Sequence, residues 1–280
     1  MEPGIEYFNS KKILITGGGG YLGSKLAEAL NQSSGRIALM DISFNSLSEK
    51  LIEQNENVDK YQTDITKKSD LEAAIHKIQP DYIFHFCALL NRERSFVNYN
   101  ELYNVNVQGT LNLLESLRSI NYKGFYFSST SEVYGSKNSS PFHEEQIPLS
   151  ASPYSLTKLM AEDMIKTYSE IYHKPYTILR LFNFYGTGMA ESFFINQLIA
   201  TLKRNEYFEM TEGEQKRDFM YISDLLTAIL TVSSSEKYNG EIINICSGKG
   251  IKLKDIAIRI AVKLRKEVML KIGVLPYREN

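Results

Sequence analysis

Tyr154 and Lys158 stand four positions apart in Ser152-Pro153-Tyr154-Ser155-Leu156-Thr157-Lys158, a spacing that on a helix sets both side chains on one face, one turn apart. There the Lys158 ammonium favours the tyrosinate form of Tyr154 and draws the phenol from its ordinary value of about 10 toward neutrality, which makes a usable general base. A solvated helix face with a packed tyrosine shows the same spacing, so the pair takes its weight from its surroundings. Upstream, an apolar run ends in the hydroxyl-rich stretch Ser128-Ser129-Thr130-Ser131-Glu132-Val133-Tyr134-Gly135.

A second constellation lies near the N-terminus. Thr16-Gly17-Gly18-Gly19-Gly20-Tyr21-Leu22-Gly23 joins the apolar strand candidate Lys11 to Thr16 to a helix candidate running from Tyr21 to Leu30. Gly17, Gly20 and Gly23 give G-x-x-G-x-x-G: the first permits a tight turn, the second lets backbone N–H groups approach an anion, and the third lets helix and strand lie close. With Tyr21 and Leu22 opening the helix, its N-terminus offers partial positive charge to the pyrophosphate of a dinucleotide. The next strand, Arg36 to Met40, ends in Asp41, where a dinucleotide fold places an acid that accepts from a ribose 2′-hydroxyl and repels a 2′-phosphate. That favours NAD over NADP.

The elements that must position these groups alternate as a parallel sheet with crossover helices requires. Further strands are expected at Asp59 to Gln62, Tyr82 to Phe86, Gly124 to Ser128 and Tyr176 to Leu181. Helices are expected near Leu47 to Asn55, Ser69 to Lys77, Glu101 to Ile120 and Tyr154 to His173. The expected fold is α/β, a Rossmann-like doubly wound parallel sheet over residues 1–182 with a smaller C-terminal substrate-binding lobe over 183–280. In that lobe a helix is expected near Phe193 to Arg204, short strands near Tyr207 to Thr211 and Phe219 to Tyr221, a helix from Ser223, a strand at Glu241 to Ile245 and a helix after Leu253.

Composition narrows the function class. A hydrophobic fraction of 43% supplies a core, and a net charge of −1 excludes a generally basic nucleic-acid surface. Cys87 and Cys246 sit in apolar strand-like segments and read as reduced, buried core thiols rather than a disulfide. His76, His85, His143 and His173 lack metal-ligand spacing, and His85 reads as a side chain packed at a strand end. No apolar run approaches about eighteen residues and the N-terminus lacks a leader pattern, so no membrane span and a cytoplasmic location are expected.

With these motifs in order, the chain resembles the extended short-chain dehydrogenases/reductases, specifically the NAD-dependent nucleotide-sugar epimerase/dehydratase group. The resemblance runs from about Lys11 to the C-terminus. Beyond Thr16 to Gly23 and Tyr154/Lys158 it is carried by Asp64-Ile65, His85-Phe86-Cys87-Ala88, Asn104 to Thr110, Leu179-Arg180-Leu181-Phe182-Asn183-Phe184-Tyr185-Gly186 and Arg217 to Asp224. It implies that Asp64 and Ile65 contact adenine, and that Phe86, Cys87 and Ala88 wall the nicotinamide ribose. It further implies that Asn106 props the site and that Ser128 belongs to the cofactor side. Thr130 orients the reacting sugar oxygen, Tyr154 is the base, and Lys158 holds both its charge and the ribose. Asn183 and Arg217 hold the substrate diphosphate, which suits a guanidinium fork.

The resemblance leaves the reaction open. A 4,6-dehydratase carries an acid where this chain has Ser131, which disfavours elimination of water. Thr130-Ser131-Glu132 also resembles the sugar-acid decarboxylases, in which a Glu and an Arg work around a carboxylate, so Glu132 is a fourth catalytic candidate. A C4 epimerase and a 4-dehydrogenase or 4-ketoreductase of a hexose, 6-deoxyhexose or heptose nucleotide remain. The segment Val274 to Asn280 looks more like the reductases and stops a helix or so short of relatives, which reads as a smaller or truncated lobe. A non-catalytic NAD-binding regulator is the alternative of another class, disfavoured because Thr130, Tyr154 and Lys158 are all present. The resemblance also implies a homodimer through a four-helix contact of the helices around Glu101 to Ile120 and Tyr154 to His173.

Overall fold

The computed structural model describes residues 4–91 and 93–277, so Arg278 to Asn280 of the expected reductase-like segment lie outside the described residues. Strands β1 (Lys12–Thr16), β2 (Arg36–Asp41), β3 (Val58–Gln62), β4 (Tyr82–His85), β5 (Gly124–Thr130) and β6 (Thr177–Leu181) alternate with helices. These are α1 (Tyr21–Leu30), α2 (Ser46–Gln54), α3 (Lys68–Ile78), α4 (Tyr99–Tyr103), α5 (Gly109–Ser116) and α6 (Pro153–Tyr172). There follow β7 (Asn183–Tyr185), α7 (Phe194–Lys203), β8 (Phe208–Met210), β9 (Lys216–Tyr221), α8 (Ile222–Ser233), β10 (Ile242–Ile245), β11 (Gly250–Lys252), α9 (Leu253–Leu264) and β12 (Leu270–Ile272).

The central sheet has the order β10-β6-β5-β4-β1-β2-β3, with every pairing parallel. Its central strands are buried on both faces, as a doubly covered parallel sheet demands, and so read as continuous apolar runs such as Ile13-Leu14-Ile15. One face packs Leu14, Ile83, Phe125 and Phe127 against Leu113 of α5 and Ile165 of α6. The other stacks Phe84 on Tyr126, whose hydroxyl donates to the Ser233 carbonyl at 2.8 Å. The strand order reverses between β1 and β4. Gly17 and Phe86 follow the carboxyl ends of these two strands, the place where open parallel sheets take their ligands.

The chain divides into two compact units. One holds residues up to Leu181 together with Leu226–Ile245; the other holds Phe182–Leu225 and the residues from Cys246 on. The strand at Glu241 to Ile245, expected in the second lobe, is instead the edge strand of the central sheet, paired with β6 from Ile242↔Ile178 to Ile245↔Leu181. In the second unit β9 pairs with β7 and β11, β8 pairs with β12, and α7 and α9 close over Leu198, Leu202, Phe208 and Ala257.

Two further expectations change. The helix expected over Glu101 to Ile120 runs without a break through α4 and α5, but carries a π-helical turn at Asn104–Gln108 between them and ends at Ser116. Cys87 and Cys246 follow the ends of β4 and β10 rather than lying within them, and as whole residues both are half-buried. Among the described residues no helix is long and apolar enough to cross a membrane.

Candidate active site

The glycine turn is shaped by close backbone approach. Gly17 has φ +73°, and a Cβ there would sit 2.6 Å from the Cys87 amide nitrogen; one on Gly23 would meet the Gly17 carbonyl oxygen at 2.2 Å. The third position of the run, Gly19, is as constrained, because its Cβ would fall 1.8 Å from the Ser43 carbonyl oxygen. The G-x-x-G-x-x-G spacing passes over it; the uninterrupted four-glycine run was the available signal. Gly20 differs. A Cβ there would touch only the Gly17 oxygen, at 3.3 Å, and Gly20 opens α1 in extended conformation with no side-chain cap.

Asp41 ends β2 and ties this turn to the next strand. Its carboxylate accepts from the amides of Gly19 (3.1 Å), Ile42 (2.7 Å) and Ser43 (3.3 Å). Asp64 accepts from the amide and hydroxyl of Thr66, and Ile65 is buried beneath Gly109.

A buried chain of hydrogen bonds runs from β1 to α6. Thr16 Oγ1 lies 2.6 Å from His85 Nδ1, and His85 Nε2 lies 2.9 Å from Thr110 Oγ1, which donates to the Asn106 carbonyl at 2.7 Å. Because Thr110 spends its proton on that carbonyl, His85 donates from Nε2 and accepts at Nδ1. Burial lowers the His85 imidazole to about 3, with the Lys158 charge adding to the effect, so the ring is neutral. The Asn106 side chain then accepts from the Leu89 amide (2.8 Å) and donates to the Leu89 carbonyl (3.1 Å) and to Thr157 Oγ1 (3.0 Å), which itself donates to the Tyr154 carbonyl. Thus His85, read from the sequence as strand-end packing, also holds Phe86-Cys87-Ala88 and α6 in one frame. Ser128 joins it by donating to the His85 carbonyl at 3.2 Å.

The start of α6 is well specified. Ser152 and Ser155 cap each other reciprocally and Pro153 occupies the first turn, which puts Tyr154 at the mouth of the helix. Ser152 Oγ donates to Glu132 at 3.4 Å, while Thr130 Oγ1 caps the short helix Ser131–Tyr134 by accepting the Glu132 amide at 3.2 Å. The end of β5 and the first turn of α6 are therefore joined. Tyr154 is partly exposed, whereas Lys158 is buried with its Nζ 4.0 Å from the centre of the Phe127 ring.

Electrostatics here correct the sequence expectation. Burial pushes the Tyr154 phenol up, and the Glu132 carboxylate pushes it further; no lowering by Lys158 offsets them. Burial brings the Lys158 ammonium down to about 7, against the charges of Cys87 and Glu162, which favour its protonated form. The Cys87 thiol is raised to about 12, mainly by burial. Four-residue spacing correctly sets the two side chains on one face, but desolvation outweighs their mutual attraction.

Asn183 and Arg217 belong to the second unit and are exposed. Asn183 Nδ2 donates to the Asp218 carbonyl at 3.3 Å, and Arg217 Nη1 to the Lys216 carbonyl at 2.8 Å. The Asp218 carboxylate receives the amides of Ser247 and Lys249 at 2.9 and 3.0 Å, which fastens β9 to the turn before β11.

The NAD dependent epimerase/dehydratase family model matches residues 13–246. The chain belongs to this family. Among relatives of this family, UDP-N-acetyl-α-D-glucosaminuronate decarboxylase of Bacillus cytotoxicus is 32% identical over 257 residues, covering 88% of this chain and 78% of its own. UDP-glucose 4-epimerase of Thermotoga maritima, solved with UDP-glucose, superposes with a TM-score of 0.87 at 26% identity, over 95% of this chain and 86% of that one. UDP-glucuronic acid 4-epimerase of Bacillus cereus, solved with UDP-glucuronic acid and NAD, gives 0.85 at 27% identity, over 93% and 85%.

The protein is accordingly an NAD-dependent enzyme, and its residues fit that cofactor. Severe contacts with the backbone force glycine at 17, 19 and 23; at 20 a Cβ would meet only the Gly17 oxygen, at 3.3 Å, and a glycine there leaves the N-terminus of α1 with no side-chain cap and its amides open to an anion. Asp41, at the carboxyl end of β2 and bonded to Gly19, stands at the position where a dinucleotide-binding fold carries an acid.

Proposed function

We propose that this enzyme is an NAD(H)-dependent nucleotide-sugar oxidoreductase working at C4 of the sugar, as a 4-epimerase or a 4-dehydrogenase/4-ketoreductase of a hexose, 6-deoxyhexose or heptose nucleotide. The observation that carries this reading is the union of Thr130, Tyr154 and Lys158 at the end of β5 and the first turns of α6, in a chain that also has the Gly20 cradle.

Tyr154 takes the proton of the C4 hydroxyl, Thr130 fixes the oxygen, and the Lys158 ammonium supports the tyrosinate. Bound NAD supplies the acceptor for the hydride that leaves C4. Burial favours the protonated phenol, which suits the return step, in which Tyr154 hands its proton back to the keto oxygen; in the forward step the base is the tyrosinate, the minority form that the Lys158 ammonium has to stabilise. Asp41, Asp64, Ile65, Phe86, Cys87, Ala88, Asn106 and Ser128 frame the cofactor, while Asn183 and Arg217 hold the diphosphate. The substrate is a nucleotide-diphosphate sugar.

A decarboxylase reading is favoured by Glu132 beside Tyr154 and by the 32%-identical relative. Oxidation at C4 of a sugar acid creates a β-keto acid, which loses carbon dioxide readily, so both readings share their first step. A panel of UDP-, GDP-, CDP- and dTDP-sugars, with nicotinamide absorbance, sugar products and carbon dioxide followed together, separates them. Tyr154→Phe should keep NAD bound and lower turnover by about a hundredfold to ten-thousandfold; full activity in that variant removes Tyr154 from the chemistry.

The proposal extends to a homodimer through the α4–α5 segment and α6. These carry exposed Tyr103, Ile171 and Tyr172.

A further inference from the structure

Four residues outside the proposed catalytic set, Ser129, Tyr134, Glu162 and Arg180, meet in the interior of the first unit. Glu162 and Arg180, 0% and 2% exposed, form a two-pronged ion pair, with Nε–Oε1 at 3.1 Å and Nη2–Oε2 at 2.7 Å. Ser129 donates a short hydrogen bond to the same Glu162 oxygen, Oε1. Arg180 Nη1 donates to the Tyr134 hydroxyl at 3.0 Å, and the guanidinium lies 4.8 Å from the centre of the Tyr134 ring. Tyr134 passes its own proton to Asn244 Oδ1 at 2.8 Å, and the Asn244 amide is held by Glu144 at 2.8 Å.

We propose that this buried pair is a positioning device for the reaction, clamping the strand end that carries Thr130 to the helix that carries Tyr154 and Lys158 and setting a fixed negative charge one turn below Lys158. The inference rests on the C4 oxidoreductase reading. Ser129 precedes Thr130 in β5, Tyr134 closes the short helix that holds Glu132, and Tyr154, Lys158 and Glu162 follow at four-residue intervals along one stripe of α6. The guanidinium comes from β6, the neighbour of β5. Every element bearing a proposed catalytic side chain therefore ends on one carboxylate–guanidinium pair.

A buried ion pair is weak as a source of stability, because desolvation consumes most of its attraction, and a well-packed apolar pair would serve the fold as well. What it adds is direction. Two prongs and a third hydrogen bond fix the rotation of α6 about its axis, on which the aim of Tyr154 depends. The charged and titratable groups around Lys158 are Glu162 and, by four-residue spacing, Tyr154 on its own helix, His85 at the end of β4 and Cys87 just after it; those facing Glu162 are Lys158 and Arg180, and Arg180 in turn faces Tyr134. Glu162 is the carboxylate in that set. Its loss therefore disfavours the Lys158 ammonium.

The test compares wild type with the double variant Glu162→Gln/Arg180→Met, which removes both charges without stranding either, and with Ser129→Ala, which leaves the pair and unties only β5. Lys158 is titrated by side-chain carbon NMR on the cofactor-free protein, its resonance assigned by its loss in Lys158→Met. The double variant should keep wild-type thermal stability yet titrate Lys158 lower by about half a pH unit or more, because of the two charges removed only that of Glu162, one helical turn away, acts on Lys158. Its kcat should fall by about tenfold or more with KM within about threefold, and Ser129→Ala should lose about threefold or more in kcat. An unchanged Lys158 midpoint in the double variant, or wild-type kcat in Ser129→Ala, overturns the proposal. The NMR titration uses neither cofactor nor sugar, so a wild type that turns over no nucleotide sugar would defeat the C4 reading while the midpoint still decides the charge relation.

Discussion

Replacing Lys158 by methionine should make the NAD-free protein more stable and abolish its turnover. Lys158 is 1% exposed, and burial holds an ammonium that ordinarily titrates at 10.5 at about 7. That difference corresponds to about 4 to 5 kcal/mol of stability withheld from the fold near neutrality. The Phe127 ring face at 4.0 Å returns about 0.5 to 1 kcal/mol of it. Methionine fills a similar volume with no charge to desolvate, so a net gain of about 3 kcal/mol is expected, several degrees in Tm for a chain of this size. The sign has a pH signature. A lysine depressed in the fold is neutral in both states above 10.5, so nothing is lost there; the deficit grows as pH falls from 10.5 to 7 and is constant below. Urea unfolding by circular dichroism at a series of pH values, with the slope of unfolding unchanged between the two proteins, measures the gap. A gap that does not widen between pH 10 and pH 7, or a methionine variant no more stable than wild type, refutes the reasoning.

His85→Gln should flatten acid sensitivity. The imidazole, ordinarily near 6.5 and held at about 3 by burial, gives stability that is intact above 6.5 and lost as pH falls toward 3. Near pH 4.5 wild type should have lost about 2 to 3 kcal/mol that the variant keeps; parallel unfolding curves for the two proteins would exclude this. Light scattering at micromolar concentration should give twice the 32.0 kDa chain mass, and a monomer rules out the helical dimer.

Local features were legible in the sequence, and features made by distant partners were not. Helix α1 begins and ends where its residues predicted, Tyr21 to Leu30, because a glycine turn and an apolar period mark both ends within one segment. Tyr154 and Lys158 share a helix face for the same reason. The strands Asn183–Tyr185, Gly250–Lys252 and Leu270–Ile272 are three residues long, too short to show an alternation, and were not expected. Nor could the sequence reveal that β10 leaves the second lobe to pair with β6, because pairing is decided by a neighbour more than sixty positions away. The direction of the Tyr154 shift was misjudged from spacing, since spacing carries the Coulombic partner and is silent on desolvation, which also lowers Lys158.

The π-helical turn at Asn104–Gln108 shows how such non-local facts determine the site. A π turn inserts into a helix where an unbroken α-helical repeat would aim side chains differently, and here it coincides with Asn106. Asn106 returns both halves of its amide to the Leu89 backbone and reaches Thr157 as well, while its carbonyl takes the Thr110 proton and so fixes the tautomer of His85. The linked residues are 69, 25 and 51 positions apart, yet each polar group in the chain from Thr16 to the Tyr154 carbonyl has a partner. In a dry interior a half-satisfied member costs more than the network returns, so the turn before α1 and the first turn of α6 cannot shift independently. The strand that leads into the glycine turn and the helix that carries Tyr154 are thereby held as one piece, which is what the proposed removal of a proton and a hydride from one carbon would require.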